Sequence, residues 1–192
     1  IIVIFSSMAA YALSRNKSKM SSFLFFLFVA AMLIPFQSVM IPLVTIFGNL
    51  EMLNRPGIIF MYLGFGSSLS IFLYHGVLNS IPQSLDEAAT IDGANRFQIY
   101  WYIIFPMLKP ITVTVAILNT IWIWNDYLLP SLVINQEGME TLPLKMFFFF
   151  GEYTKQWHLA LAGLTLAIIP VIIAYFLAQR QIIKGVSEGS IK

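Results

Sequence analysis

Side chains that could perform acid–base, metal or nucleophilic chemistry are few in this 192-residue sequence, and they are not grouped for catalysis. There is no cysteine, so a thiol nucleophile, a cysteine metal site and a disulfide are all ruled out. The two histidines, His75 and His158, have no metal-ligating residue at ligand spacing and belong to no Ser-His-Asp arrangement. The sequence therefore predicts no catalytic residue, no metal site and no cofactor. The chemistry it does predict is binding chemistry, in two short polar segments.

The first polar segment, Ser84–Ala94, interrupts long apolar runs and has the pattern of a short helix. Ser84 lies three residues before Glu87, which is the spacing of a capping box. Asp86 and Glu87 place negative charge in the first turn, where the helix dipole favours it, and Gly93 predicts a left-handed end. A helix of about two to three turns is marginal in water by itself. Because the flanking segments are apolar, we expect a partner protein to supply its packing.

The second polar segment lies near the end of a later apolar run. Asn119, Trp122 and Asp126 are spaced at i, i+3 and i+7, on one face of a helix. One interpretation is an aromatic belt at a membrane interface with a solvated Asp126. The other is that Asp126, as an ionisable group near membrane depth, faces a cavity or a partner. The sequence leaves both open, and Tyr74 is a weaker candidate for the same cavity.

Composition places these segments in a membrane protein. The chain is 58% hydrophobic and 10% charged, against roughly 25% charged in soluble domains. Five membrane spans are predicted, the first of them incomplete: Ile1–Leu13, Phe23–Phe47, Ile58–Leu78, Ile111–Ile134 and Trp157–Ala178. Pro35 and Pro42 are expected to kink the second span because each removes a backbone hydrogen bond.

The distribution of basic residues predicts the orientation. The loops Ser14–Ser22 and Asn79–Lys109 and the tail Gln179–Lys192 would lie on one side. The loops Gly48–Gly57 and Asn135–Gln156 would lie on the other. The first group carries eight Lys and Arg residues: Arg15, Lys17, Lys19, Arg96, Lys109, Arg180, Lys184 and Lys192. The second group carries three: Arg55, Lys145 and Lys155. The positive-inside rule then predicts that the first group, with the C-terminus, is cytoplasmic. A net charge of +2, spread along the chain, argues against a nucleic-acid partner.

The loop Asn79–Lys109 carries a motif of fixed residues at fixed spacing between two spans: Glu87–Ala89, Gly93, Ile103 and Pro106. This motif resembles the cytoplasmic signature of permease subunits of ABC importers. Asp92–Ala94, with Phe97 four residues after Gly93, is similar to the maltose-type, carbohydrate-uptake branch of that family. Phe105 stands where that family usually has leucine, which preserves an apolar side chain.

The resemblance covers nearly the whole chain and implies an all-α, polytopic fold, the type I ABC importer transmembrane domain. That domain would occupy residues 1–178, with the coupling loop at 79–109 and a cytoplasmic tail at 179–192. The implied contacts with the ATPase come from seven residues: Ser84, Glu87, Ala88, Ala89, Asp92, Gly93 and Ala94. The implied solute pathway comprises Asn119, Trp122 and Asp126, with Tyr74 less strongly. Aromatic faces beside hydrogen-bonding groups suit a sugar.

By this resemblance the protein imports a sugar or short oligosaccharide across the plasma membrane. The implied partners are a dimer of ATPase subunits, a second homologous permease, an external solute-binding protein and membrane lipid. The chain has no phosphate-binding GxxxxGK[ST] loop, so it is not the subunit that hydrolyses ATP. The alternatives are another neutral solute, glycerol phosphate, or a secondary transporter, which usually shows inverted repeats and several buried ionisable groups. A membrane enzyme would need a cluster of acid, base or metal ligands, which the sequence does not offer.

Overall fold

The computed structural model describes residues 1–134, 138–147, 149 and 156–189. All regular structure in these residues is helical. The α-helices are α1 (Ile2–Arg15), α2 (Lys19–Ala31), α3 (Phe36–Asn49), α4 (Arg55–Ser80), α5 (Ser84–Ile91), α6 (Arg96–Ile99), α7 (Phe105–Met107), α8 (Lys109–Asn125), α9 (Leu128–Val133), α10 (Leu142–Phe147) and α11 (Trp157–Gly189). A π-helical segment, Tyr100–Ile104, joins α6 to α7.

The chain divides into two compact units. The first unit comprises Ile1–Ile34, Leu63–Ala116 and Ala178–Lys192. The second unit comprises Pro35–Tyr62 and Ile117–Leu177. The loop Asn79–Lys109 therefore belongs wholly to the first unit, and the segment containing Asp126 belongs to the second.

The core of the first unit is built on the C-terminal half of α4. Ile71, Tyr74 and Leu78 are fully buried at helical spacing, together with Ile104 and Leu108 from the loop that follows. Small polar residues of α4 are buried as well: Ser67, Ser68 and Ser70. The Ser70 hydroxyl donates to the Gly66 carbonyl at 2.6 Å, so its polar atom is satisfied within the helix. This side of α4 can therefore pack closely against neighbours without leaving that hydroxyl unpaired.

The second unit packs α3 against α9. The buried side chains of α9 are Leu129, Pro130 and Val133. The indole Nε1 of Trp124 donates to the Ala167 carbonyl at 3.1 Å, which ties the end of α8 to α11. The stretch Trp157–Phe176 of α11 otherwise leaves nearly all of its apolar side chains exposed. An uncovered apolar helix of this kind is expected to face lipid or another membrane subunit.

Length and composition allow a limited number of membrane spans. Two described helices are long and apolar enough to cross a bilayer, α4 and the stretch Trp157–Phe176 of α11. The number rises to four if two bent helix pairs, α2 with α3 and the stretch Arg96–Met107 with α8, each count as one span. The remaining expected span is α1, an apolar helix of 14 residues.

Two expectations about the spans need correction. The second span is not one helix, because α2 ends at Ala31 and α3 begins only after Pro35, whose backbone is extended. Pro42, by contrast, lies inside α3. The fourth span ends at Asn125 rather than Ile134, and α9 follows as a separate helix. Residues 179–189, which lie in the predicted tail, are helical and continue α11, and their cytoplasmic location stays a prediction.

Candidate functional site

The start of α5 differs from the sequence expectation. Ser84 is the first helical residue, and the capping position is held by Gln83, whose backbone is already helical and whose side chain makes no capping bond. A capping box needs an extended residue at that position, so Ser84 and Glu87 cannot form one. The predicted capping box is therefore wrong. The acidic first turn, Asp86 and Glu87, lies where it was predicted.

The end of α5 confirms the prediction at Gly93. Its φ is +86°, in the left-handed region that favours glycine. The Ala94 amide donates to the Ala89 carbonyl at 2.9 Å, and the Gly93 amide donates to the Thr90 carbonyl at 3.0 Å. These two bonds form a Schellman motif, which satisfies carbonyls that the helix end would otherwise leave unpaired. The motif fixes where α5 stops and where the chain turns.

A capping box does occur in the loop, one turn further on, at the start of α6. Asn95 accepts a bond from the Gln98 amide at 3.0 Å, and the Gln98 side chain accepts one from the Asn95 amide at 2.8 Å. The sequence analysis missed this pair, although asparagine followed three residues later by glutamine is a recognisable signal. Together with Gly93, it sets the turn between the two halves of the loop.

The inward face of α5 packs on its own chain. Ala89 is buried in the core of the first unit, and it is the one buried residue of the helix. Asp86 accepts a bond from the Tyr11 hydroxyl at 2.5 Å and forms an ion pair with Arg15 at 3.0 Å. We expected this chain to offer α5 little packing, and in the structure α1 and the core of the first unit pack against one of its faces. Ala89 is likewise not available to a partner's groove in this structure.

The outward face of α5 is open. Ser84, Glu87, Ala88 and Ile91 are all exposed and lie at i, i+3, i+4 and i+7, which is one side of a helix. We call these four residues the α5 outer face. Ile91 is 86% exposed, and Phe97 in the next helix is 68% exposed. Asp92 and Gly93 are exposed and Ala94 is half-buried. An apolar residue beside an acid on a surface of this kind is suited to contact with another protein.

A cleft of about 770 Å³ lies beside α5 in the first unit, between α1 and the loop. Tyr11 and Arg15 line it from α1, and Asp86 and Glu87 line it from α5. Arg96 and Phe97 line it from α6. The cleft separates α1 from the loop except where polar side chains bridge them.

The polar cluster of the second unit is centred on Asp126. Its Oδ2 accepts a bond from the Tyr62 hydroxyl at 2.9 Å, and its Oδ1 accepts one from the Leu128 amide at 3.0 Å. The Tyr62 ring packs edge-on against Trp122, with ring centroids 5.6 Å apart. Asp126 is thus half-buried and held at the start of α9, which excludes the freely solvated carboxylate of the belt interpretation. Asn119 is half-buried and Trp122 is 42% exposed.

Tyr74 belongs to the first unit. Its side chain is fully buried in the core of that unit, and its hydroxyl donates to the Thr112 hydroxyl at 3.1 Å. A role for Tyr74 in the solute pathway stays a prediction. The aromatic residue bonded to Asp126 is Tyr62. Nothing in the local sequence indicates Tyr62, since it lies in an apolar run 64 residues before Asp126.

The described residues also bear on metal chemistry. Among residues 1–134, 138–147, 149 and 156–189, no group of three or more His, Cys, Asp or Glu side chains is placed to hold a metal ion. The two clusters present, around Asp86 and around Asp126, each contain a single carboxylate bonded to tyrosine. Both carboxylates bridge segments that are distant in the sequence.

Comparison with known proteins identifies the class. Residues 2–188 match the family described as binding-protein-dependent transport system inner membrane component. That match covers nearly the whole chain, so the chain belongs to this family. It is a membrane-embedded transport component with the all-α fold of an ABC importer permease.

Individual relatives are similar over the full chain. The probable starch degradation products transport system permease protein AmyC of Thermoanaerobacterium thermosulfurigenes is 62% identical over 192 residues, covering 100% of this chain and 70% of the relative. The multiple sugar-binding transport system permease protein MsmG of Streptococcus mutans is 39% identical over 196 residues, covering 100% of this chain and 71% of the relative. A crystal structure of a bacterial ABC transporter involved in the import of the acidic polysaccharide alginate aligns with a TM-score of 0.74 at 30% identity, covering 93% of this chain and 68% of that one.

Proposed function

We propose that this chain is a permease subunit of an ATP-driven, binding-protein-dependent importer of a sugar or short oligosaccharide. The observation that carries the proposal is similarity over the whole of this chain, at 62% and 39% identity, to permeases named for starch degradation products and for multiple sugars. The permease named for melibiose, raffinose and stachyose import, from Bacillus subtilis, is also 37% identical over the whole chain.

The α5 outer face is the proposed contact with the ATPase. It presents Glu87 beside Ala88 and Ile91 on a helix whose other face is anchored to the chain's own core. A helix anchored on one side and open on the other can dock in a groove while remaining attached to the membrane bundle. The turn at Asp92, Gly93 and Ala94 would then redirect the chain so that α6 lies against the same partner.

The remaining partners follow from the proposed function. A second homologous permease would complete the pathway, and an external solute-binding protein would deliver the solute. The exposed apolar side of Trp157–Phe176 supports contact with lipid or with that second permease. The excess of Lys and Arg in the loop and in the residues after 178 favours a cytoplasmic C-terminus, on the side of the ATPase.

The cluster of Tyr62, Trp122 and Asp126, with Asn119, is the proposed solute-contacting surface. Trp122 exposes part of an aromatic face within reach of a polar group, as a sugar ring requires. A phosphorylated solute would call for basic residues along the path. The predicted spans between Phe23 and Ile134 contain none, which favours a neutral solute over glycerol phosphate.

Reconstituted transport tests this proposal. The full-length protein, assembled with its ATPase, second permease and binding protein in proteoliposomes, is expected to accumulate neutral oligosaccharide only with ATP present. A panel containing maltodextrins, raffinose, a polyol, glycerol phosphate and an amino acid identifies the solute class. Uptake restricted to glycerol phosphate or an amino acid would contradict the sugar assignment. Uptake driven by an ion gradient without the ATPase would instead establish a secondary transporter.

Variants of the same complex test the pathway. Trp122→Ala is expected to raise the KM for uptake about tenfold. A flat ligand face stacked on an aromatic side chain, as a nucleobase stacks, contributes about 1–3 kcal/mol of binding free energy. Trp124→Ala is the matched control, because its indole bonds to the Ala167 carbonyl instead. Equal KM values for Trp122→Ala and wild type would remove Trp122 from the pathway.

A further inference from the structure

Three polar side chains of α1 lie on one face and bridge to the loop. Ser7, Tyr11 and Arg15 are four residues apart, so they form a stripe along the helix. We call these three residues the α1 stripe. The Ser7 hydroxyl lies 2.6 Å from the Tyr100 hydroxyl in a buried contact. Tyr11 and Arg15 both bind the carboxylate of Asp86 in the first turn of α5.

Arg15 at the end of the stripe joins three helices. Its Nη2 lies 3.0 Å from Oδ2 of Asp86. Its Nη1 donates to the carbonyl of Leu78 at 3.3 Å, in the last turn of α4, and to that of Ile81 at 3.1 Å, the residue that follows α4. One guanidinium therefore connects the end of α1, the end of α4 and the beginning of α5. The planar fork of arginine permits this, because its five donors point in fixed directions; a lysine ammonium would have to choose among these partners.

These contacts are largely withdrawn from water. The side chains of Arg15 and Asp86 are 15% and 17% exposed, so their attraction is screened less than that of a surface pair. The helix dipoles add to this attraction. The cation of Arg15 lies at the C-terminal end of α1 and the anion of Asp86 lies in the first turn of α5, and the helix dipole favours both placements. By contrast, α5 has eight residues and a single buried side chain, Ala89. The polar bridge is thus a main attachment of α5 to the rest of the first unit.

We propose that the α1 stripe, through Arg15, positions the coupling helix α5 and carries its displacement into α1 and α4. This inference rests on the proposed function, in which α5 follows the ATPase. A short helix that moves with a partner can drive membrane helices only if it is tied to them. Arg15 is a positioning residue in this account: it contacts neither the solute nor the ATPase, and it sets the attachment of the helix that does.

The first test compares transport with ATP hydrolysis in proteoliposomes containing the whole complex. Arg15→Ala is expected to lower solute uptake per ATP hydrolysed about tenfold, within the range of coupling between sites. Arg15→Lys should give an uptake per ATP between those of the wild type and Arg15→Ala. One ammonium can hold either Asp86 or the carbonyls of Leu78 and Ile81, but not all three. Lys17→Ala is the matched control. Lys17 is exposed and lies two residues after Arg15, so its substitution also removes a basic charge, but uptake per ATP should stay at the wild-type value.

The ratio of solute uptake to ATP hydrolysed distinguishes a loss of α5 positioning from a simple loss of stability. A variant that only folds or assembles poorly loses uptake and ATP hydrolysis in proportion to the complex recovered, and such a proportional loss in Arg15→Ala would overturn the proposal. Tyr11→Phe provides a milder variant, since it keeps the ring and deletes one bond to Asp86. It should lower the ratio less than Arg15→Ala does; a wild-type ratio in Arg15→Ala would also overturn the proposal.

The second test does not depend on transport, so it distinguishes failure of this inference from failure of the sugar assignment. Because the chain has no cysteine, Asn16→Cys and Thr90→Cys can carry a pair of spin labels across the cleft between α1 and α5. We expect a narrow distance distribution in the otherwise wild-type complex and in Lys17→Ala, and a broad one in Arg15→Ala. An unchanged distribution in Arg15→Ala would refute the positioning role even if sugar uptake is confirmed.

Discussion

The turn that ends α5 can be tested by replacing Gly93 with alanine. A Cβ added at Gly93 would meet no atom within 4 Å, so the substitution introduces no clash. What it does introduce is backbone strain, because φ is +86° and L residues in the left-handed region cost roughly 1–2 kcal/mol. Since every 1.4 kcal/mol is about a tenfold change in an equilibrium constant, the turn should open about 5–30 times more often.

Hydrogen exchange measures that opening directly. The amides of Gly93 and Ala94 close the Schellman motif, and their protection factors should fall about 5–30-fold in Gly93→Ala. In Gly93→Asn the protection factors should fall less than in Gly93→Ala, because asparagine tolerates left-handed backbone geometry better than alanine. Gly64→Ala is the matched control: it too has open space around its Cβ, but it lies inside α4 with no positive φ. Equal protection at the turn in Gly93→Ala and Gly64→Ala would refute the strain argument.

Two further predictions each test a local feature of one unit. Asn95→Ala removes the capping box of α6 and should lower the free energy of unfolding by about 1 kcal/mol, measured by thermal or denaturant unfolding of the purified protein in detergent; unchanged stability would show that the box is dispensable. Gly57→Ala places a Cβ 1.7 Å from the Met52 carbonyl oxygen, so the turn before α4 must shift and the yield of folded protein should drop sharply. Gly163→Ala meets only the flexible end of Met146 and should be tolerated far better; the reverse order of yields would contradict this packing.

Residue types and short spacings in the sequence predicted the features that depend only on neighbouring residues. The left-handed residue at Gly93 follows from glycine after a short helical pattern, and α4 follows from a long apolar run. The same residue types and spacings misplaced the start of α5, because spacing alone cannot reveal that Gln83 is already helical. They predicted bends at Pro35 and Pro42 equally, yet the chain breaks before the first and continues through the second.

Long-range contacts were not predictable from this sequence. Arg15 and Asp86 are far apart in the chain, and nothing in the sequence around either one indicates the other. The residues of the α1 stripe are spaced four apart, which the sequence analysis did not single out, and their partners depend on how α1 packs against the loop. Tyr62 and Asp126 meet for the same reason. The sequence therefore identified the polar segments, while the tertiary fold determined which side chains face inward and which stay open.

The central claim is that the α5 outer face meets the ATPase on the cytoplasmic side, and cysteine cross-linking tests it most directly. Ala88→Cys puts a thiol in the middle of that face of a cysteine-free chain, and Leu50→Cys, 60% exposed in a loop predicted to lie outside, serves as the control. In the assembled complex, the account predicts that Ala88→Cys cross-links to a cysteine in the ATPase and that Leu50→Cys does not. Labelling of Ala88→Cys from the external side, or no cross-link to the ATPase in a complex that transports, would contradict it.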